Sequence, residues 1–384
     1  MKRTLVRDLV VGERVRVCGW AEPPALRDHT GTVGLLDAQS LEEVPPGSAI
    51  EVWGTVVDDG LLVERLHVAG PAERPLPIDA TSPLDARLDW RYLDLRRPRN
   101  RLVFEIQTTM EGAMREWWAA HGYLEVHSPK LRAMPNRSGR ELFSVGYFDR
   151  TAYLAQSPQF FKQMAMAAGF DRVFEIGPVF RANPLVNQRH DTEFTSVDVE
   201  VSWIDSHEDV MALEEQWLGH VLAAVEHAHG RDLHRHFGRQ LRVPEVPFPR
   251  IPLAEAQRLL GFDGDIDADG ERRLGEQVAA RYGHELVFVT EYPAAVRPFY
   301  HMRLDNGSDL TRSFDLLWNG LEVTTGAQRE HRHDRLVAQA AYNPERVEVV
   351  RTYLDFFRYG CPPHGGFGLG LTRTLMAITG VGDV

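Results

Sequence analysis

Apolar and polar residues alternate in short runs through residues 1–70, as in ERVRVCGW and SAIEVWGTVV, and Pro or Gly interrupts each run. A period of two marks strands with one buried face, so this stretch is expected to form a small all-β module. Residues 71–100 lose the period, carry several prolines and end in the charged run LDWRYLDLRRPRN, which reads as a hinge. The period then lengthens. Val103, Ile106, Met110, Ala113, Met114 and Trp117 recur at helical spacing, predicting a helix that starts after Asn100 as its N-cap and stops at Gly122. Short strands are expected at 123–126 and 153–154, followed by a hairpin over 177–200. A second helix over 206–229 opens on Ser206 with Asp209 as the return cap, and Val210, Leu213, Trp217, Val221 and Val225 form its apolar stripe. Strands follow near 285–290 and 313–325, then a helix after Leu371. Strands paired in hairpins with segregated helices predict an α+β domain over 101–384 built on an antiparallel sheet, not a doubly wound one.

Composition changes this picture little. A formal net charge of -12 argues against a surface coated for nucleic acid, though not against a local basic groove. Cys18 and Cys361 lie far apart with no CxxC, which suits a reducing cytosol and offers no thiolate metal site. No apolar leader follows Met1 and no run is long enough to span a bilayer, so a soluble cytoplasmic protein is expected.

Two segments carry the chemistry. In GPVFRANPLVNQRHDTEFTSVDVE, Arg181, Arg189 and His190 surround a polar loop in the manner of a polyphosphate cradle, while Phe194, Ser196, Asp198 and Glu200 share one strand face. In SFDLLWNGLEVTTGAQREHRHD, Asn319-Gly320 is a strong hairpin signal. Regular pairing across it sets Trp318 opposite Leu321, Leu317 opposite Glu322 and Asp315 opposite Thr324, making Asp315 and Glu322 diagonal neighbours. Two carboxylates that close in apolar strands call for a cation, and Mg2+ bridging ATP phosphates fits. A surface hairpin laced with ion pairs and a solvated acidic face remain the plainer alternatives. Arg329 and Lys162 are candidates to clamp a substrate carboxylate by fork and point charge. YGCPPHGGFGLGLTR lacks the βαβ context of a dinucleotide fingerprint and reads as a strand of small residues under a flat ligand, leading to Arg373. Arg373 and Phe194 would sandwich an adenine. His331, His333 and His364 have no carboxylate or cysteine at ligand spacing, which argues against a metal site there.

Together these residues resemble the three signature motifs of class II aminoacyl-tRNA synthetases. WRYLDLRRP, AQSPQFFKQMAMAAGFDRVFEIGPVFRA, YPAAVRPFY, TTGAQREHRHD and FRYGCPPHGGFGLG are similar to the aspartyl-tRNA synthetase family of archaeal and eukaryotic type, over roughly residues 75–380. The resemblance implies an antiparallel catalytic sheet with flanking helices, a homodimer formed through the helix from Asn100 with Pro129, and an OB-like barrel over residues 1–70 that reads the anticodon. It implies that aspartate or a related acid attacks the α-phosphate of ATP. Arg181, Asn183, Arg189, His190, Phe194, Glu322 and Arg373 would bind ATP, with Arg181, His190 and Arg373 catalytic. Asp315 and Glu322 would hold Mg2+. Gln159, Lys162, Asp198, Tyr300, Thr325 and Arg329 would bind the amino acid, with Lys162 favouring an acid over an amide.

Several positions depart from that pattern. Asn183 replaces a glutamate, Arg137 stands where a mobile loop carries the glutamate for the substrate ammonium, Arg140 replaces a threonine and Thr372 an acid. Six residues separate Trp20 from Arg27, where the family has a longer hairpin with anticodon contacts, and the module offers few aromatic or basic platforms. The expected activity is aspartate activation followed by transfer to tRNA. These departures open two alternatives: transfer to a small-molecule amine, and a catalytically silent nucleotide-binding paralogue.

Overall fold

The alternating N-terminal runs close into a five-stranded barrel of order β1-β2-β3-β5-β4, with β1 at Arg14–Glu22, β2 at Ala25–Arg27, β3 at Thr32–Leu36, β4 at Ala49–Val57 and β5 at Gly60–Gly70. Every second side chain points inward, and Val15, Val17, Leu26, Leu35, Ile50, Val52 and Leu61 fill the core. The shortened connection does not open the barrel, because Glu22 pairs directly with Ala25 across the β1–β2 turn. On the outer wall the guanidiniums of Arg65 and Arg16 lie 4.7 and 5.5 Å from the Trp53 ring centroid.

The computed structural model describes residues 2–37, 41, 43–133, 142–183, 191–262, 264, 266–341 and 350–382. The chain divides into two units, 1–102 and 103–384. The stretch expected as a hinge holds two short helices, α1 (Leu84–Asp89) and α2 (Arg91–Asp94). They surround the buried Asp94, whose carboxylate takes Arg87 and Arg91 at 2.9 Å and Arg97 at 3.6 Å. Helix α3 spans Pro98–Ala120 and starts three residues earlier than an N-cap at Asn100 predicts. Pro98 supplies a φ preset for the first turn, and Asn100 is not the cap: its Nδ2 donates to the Asp94 carbonyl at 3.0 Å.

The second unit continues with β6 (Leu124–Glu125), β7 (Leu131–Arg132), β8 (Ser144–Tyr147), β9 (Arg150–Leu154), α4 (Gln159–Ala167), β10 (Arg172–Phe180), β11 (Glu193–Ser202) and α5 (His207–Phe237). Then come β12 (Arg250–Pro252), α6 (Leu253–Leu260), α7 (Ala268–Tyr282), β13 (Leu286–Thr290), β14 (Ser313–Trp318), β15 (Leu321–Arg329), α8 (His333–Ala340), α9 (Arg351–Asp355), β16 (His364–Gly370) and α10 (Leu371–Thr379). The main sheet has the order β12-β13-β14-β15-β16-β11-β10-β6, antiparallel through its centre and parallel at its two edges. Strands β7, β9 and β8 form a separate small sheet.

Helix α5 covers the back of the main sheet. Ser206 and Asp209 form the capping box that the sequence suggests. The helix runs past residue 229 because Gly230 does not stop it; the left-handed Gly238, at φ 65°, does. Trp217 stacks on Trp118 of α3 at 4.8 Å and meets Phe367 of β16 at 5.4 Å. Fully burying such a side chain contributes about 2–3 kcal/mol, so this layer fixes which sheet face is left for α4 and for a ligand. The hairpin tip at Asn319-Gly320 is also held. A Cβ on Gly275 of α7 would lie 2.7 Å from the Gly320 nitrogen, and one on Gly320 2.5 Å from the Arg272 Cα.

Candidate active site

A regular β14–β15 hairpin cannot place both Glu322 and Arg329 on one face, because an odd separation of seven residues puts them on opposite sides. The strands solve this with a bulge. Leu317 pairs with Glu322 and Leu316 with Thr324, leaving Val323 as the extra residue. Asp315 therefore sits opposite Thr325, not opposite Thr324 as regular pairing predicts. Asp315, Glu322, Thr325 and Arg329 share the front face, while Thr324 turns back to donate its hydroxyl to Glu214 of α5 at 2.6 Å.

The neighbouring strands complete that face. Thr325 pairs with Gly368 and Gly368 with Asp198; Ala327 pairs with Gly366 and Gly366 with Glu200. Gly366 is sterically required, since a Cβ there would lie 2.0 Å from the Val199 carbonyl oxygen, while one on Gly368 would press on Asp198 Oδ1 at 3.3 Å. The front of β16 is thus a backbone floor flanked by acids.

At one end of the floor lies a buried charge cluster. Lys162 of α4 sets Nζ 2.8 Å from Asp198 Oδ1 and 3.3 Å from Glu200 Oε2. Arg329 Nε lies 2.9 Å from Glu200 Oε1, its Nη2 donates to the Gly366 carbonyl at 2.8 Å and its Nη1 meets His301 Nε2 at 3.1 Å. Tyr300 is buried with its ring centroid 6.0 Å from that guanidinium. Burial opposes ionisation of Glu200, but Arg329 and Lys162 outweigh it and hold the carboxyl below its usual range. Gln159, at the start of α4, donates Nε2 to Gln163 at 3.0 Å.

At the other end, Arg181 lies over the Phe194 ring at 5.2 Å. Asn183 Nδ2 donates to the Asp191 carbonyl at 3.1 Å, linking the residues that follow β10 to those that precede β11. Asp315 Oδ2 is 2.5 Å from Arg297 Nη2, while its buried Oδ1 has no partner among the described residues. Glu322 Oε1 accepts from Thr325 at 3.2 Å and lies 3.5 Å from Arg373 Nη1, which also donates to the Glu322 carbonyl oxygen. Burial first, then repulsion from Asp315, pushes the Glu322 carboxyl up. An orphaned carboxylate oxygen beside a repelled carboxyl is a donor set that fits a hard cation with further oxygen ligands from phosphate or water. No cluster of three or more His, Cys, Asp or Glu suited to a metal occurs among the described residues. Arg373 is engaged by Glu322, and the cation seen over Phe194 is Arg181.

Most residues singled out in the sequence are brought to this face. Arg189 and His190 lie outside the described residues, as do Arg137 and Arg140. Glu200 as the link between Lys162 and Arg329, Arg297 as the partner of Asp315, and Gln163 with His364 behind Gln159 were not foreseen. Only the two-residue alternation on β11 hints at Glu200; the others are contacts over long sequence distances with no local mark.

Residues 83–384 match the family model described as tRNA synthetases class II (D, K and N). The chain belongs to that family. The aspartate--tRNA(Asp/Asn) ligase of Methanopyrus kandleri is 42% identical over 409 residues, spanning 97% of this chain and 93% of the relative. The aspartate--tRNA(Asp) ligase of Pyrococcus abyssi is 41% identical over 338 residues, 84% of this chain and 76% of that one. Among solved structures, the asparaginyl-tRNA synthetase from Pyrococcus horikoshii complexed with asparaginyl-adenylate superposes with a TM-score of 0.92 at 27% identity, covering 100% of this chain and 96% of its own. The expected class II synthetase fold is therefore established, and the front face described above is this synthetase's candidate active site.

Proposed function

We propose that this class II synthetase activates aspartate with ATP and transfers the aspartyl group to tRNA. The observation that carries this reading is the Lys162–Glu200–Arg329 cluster, two cations held side by side at the end of a backbone floor. Such a pair suits a side-chain carboxylate better than an amide, because hydrogen bonds from an ammonium and a guanidinium are stronger to an ionised acceptor. The relatives named as aspartate ligases favour the same substrate.

In this reading the aspartate side chain lies between Lys162 and Arg329, with Tyr300 and Thr325 at its walls. Gln159 and Asp198 take the ammonium. An oxygen of the α-carboxylate attacks the α-phosphorus of ATP, and pyrophosphate leaves with the electron pair of the broken P–O bond. Arg181 balances the charge that grows on the α-phosphate, and Phe194 stacks on adenine. Asn183, Arg189, His190 and Arg373 complete the ATP site. Asp315 and Glu322 would hold Mg2+, which neutralises phosphate charge when bound.

Transfer to tRNA is the better-supported second step. Neither the small-amine acceptor nor the silent paralogue finds support among the relatives, and the first of them aligns over 97% of this chain, barrel included. Trp53 with Arg16 and Arg65 gives the barrel wall aromatic and cationic groups of the kind that stack unpaired bases, which supports this reading despite the shortened β1–β2 turn. Residues 71–100 are assigned as the hinge between an OB-like domain and the catalytic domain. A homodimer through α3, whose Phe104 is exposed, and a cytosolic location complete the proposal; the two free cysteines and the lack of a described helix able to cross a membrane agree with the latter.

The test is aspartate-dependent exchange of pyrophosphate into ATP, paired with charging of tRNA(Asp). Both are expected. Absence of exchange in folded protein rejects activation, and exchange without charging moves the acceptor away from tRNA. Asp315→Asn is expected to slow exchange on the order of 100-fold, as loss of one preorganised charge does, and to raise the Mg2+ concentration needed for half-maximal rate. An unchanged Mg2+ requirement would remove Asp315 from the metal site.

A further inference from the structure

Behind Gln159 runs a hydrogen-bond chain whose polarity is fixed at its far end. His364, fully buried on β16, has Nδ1 2.8 Å from the Pro362 carbonyl oxygen. A carbonyl can only accept, so Nδ1 carries the proton, and Nε2 of the neutral ring must accept. Burial pushes the His364 pKa down to about 4, which keeps the ring neutral. The partner of Nε2 is the Gln163 amide at 3.0 Å, which must therefore present its NH2 group there. That leaves Gln163 Oε1 facing the other way, where it accepts from Tyr353 OH at 2.9 Å and from Gln159 Nε2 at 3.0 Å. With its nitrogen so engaged, Gln159 keeps its carbonyl oxygen as the free end, and no donor reaches that oxygen among the described residues.

We propose that His364, acting through Gln163, is a positioning residue that fixes Gln159 as a hydrogen-bond acceptor, so that the site selects acids bearing a protonated amine over acids without one. The proposal rests on the aspartate reading above and deepens it. Asp198 alone does not make that selection, because Lys162 and the Ser196 hydroxyl, at 2.8 and 2.5 Å, already engage its two oxygens. An amide able to flip would offer NH2 half the time and admit a substrate lacking the ammonium. The Tyr353 hydroxyl can donate or accept and follows the orientation, whereas the Pro362 carbonyl, which can only accept, sets it.

The experiment compares binding of L-aspartate and succinate, which has the same two carboxylates and no ammonium, by calorimetry to wild type, His364→Leu and His364→Gln. The wild type is expected to prefer aspartate strongly. His364→Leu should narrow the aspartate-to-succinate ratio about tenfold, the scale of one hydrogen bond to a charged group, with ATP affinity unchanged. His364→Gln, which can again accept from Gln163, should recover part of the ratio. If His364→Leu fails to fold, Gln163→Met removes the link between His364 and Gln159 at similar volume and should narrow the ratio alike. A ratio that stays at the wild-type value in folded variants, including one where the affinities for aspartate, succinate and ATP all fall equally, overturns the positioning role. Failure of wild type to bind aspartate rejects the substrate reading itself, so the two failures are distinct.

Discussion

Lys162→Leu is expected to weaken aspartate binding on the order of 100-fold or more while leaving ATP within about threefold, because a buried charge-assisted contact carries about 3 kcal/mol. The ammonium sits among Asp198, Glu200 and the carbonyl oxygens of Val199 and Phe367, the last two at 3.2 Å. Four acceptors crowd three N–H groups, so a ligand carboxylate can take one donor without leaving the others unpaired. Leucine keeps the volume and removes every donor. Glu200 would keep Arg329, and Asp198 would keep the Ser196 hydroxyl at 2.5 Å. The stability cost is therefore set at about 3 kcal/mol, the low end for breaking a buried pair. Steady-state exchange with aspartate and ATP varied separately, read beside the melting temperature, checks it. Equal losses for both substrates would show a collapsed site and dispose of the clamp.

Glu214→Gln should act on stability with the opposite sign. Glu214 lies in the apolar stripe of α5, and burial, followed by the charges of Glu215 and Asp315, pushes its pKa from 4.5 up to about 8, although the Thr324 hydroxyl favours the ionised form. Its Oε2 has no partner among the described residues. The folded protein thus holds a proton that the unfolded chain releases above 4.5. Stability linked to this group is complete below that value and is lost as pH rises toward 8. Glutamine keeps the acceptor for Thr324 and has nothing to ionise. At pH 7 the variant should be more stable by on the order of 3 kcal/mol. Urea unfolding at several pH values between 5 and 8 should show the wild type declining and the variant flat with respect to this group. Parallel curves would mean that Glu214 ionises normally.

These effects mark the limit of what is legible in the chain. Alternation in residues 14–22 and 49–57 suffices to show the barrel strands, and the capping box at Ser206 and Asp209 shows where α5 begins. Its end is not legible, because Gly230 and Gly238 look alike until one adopts a left-handed backbone. The start of α3 is not legible either, because Asn100 has the residue type of a cap, whereas Pro98 has the geometry of a first turn. The chemistry of the site was legible through its residue types, and its arrangement was not. Val323 is an unremarkable strand residue, so nothing in composition reveals a bulge there, and regular pairing then assigns Thr324 the place of Thr325. Glu200 connects α4 to β15, and Gln163 connects α4 to β16, across separations that no periodicity encodes. The resemblance to a known family supplied the roles; the contacts that make those roles physically possible needed coordinates.

The clamped tip of the β14–β15 hairpin has an evolutionary consequence. Gly320 is wedged against Arg272 and Gly275 of α7, so the turn has no slack with which to absorb a residue gained or lost nearby. An insertion or deletion between Leu317 and Thr325 would shift Glu322 out of line with Asp315 and Arg329, and a side chain at Gly320 or Gly326 would collide with Arg272 or Phe314. A designer who transplants it to another scaffold must copy its length together with the glycines at 320 and 326.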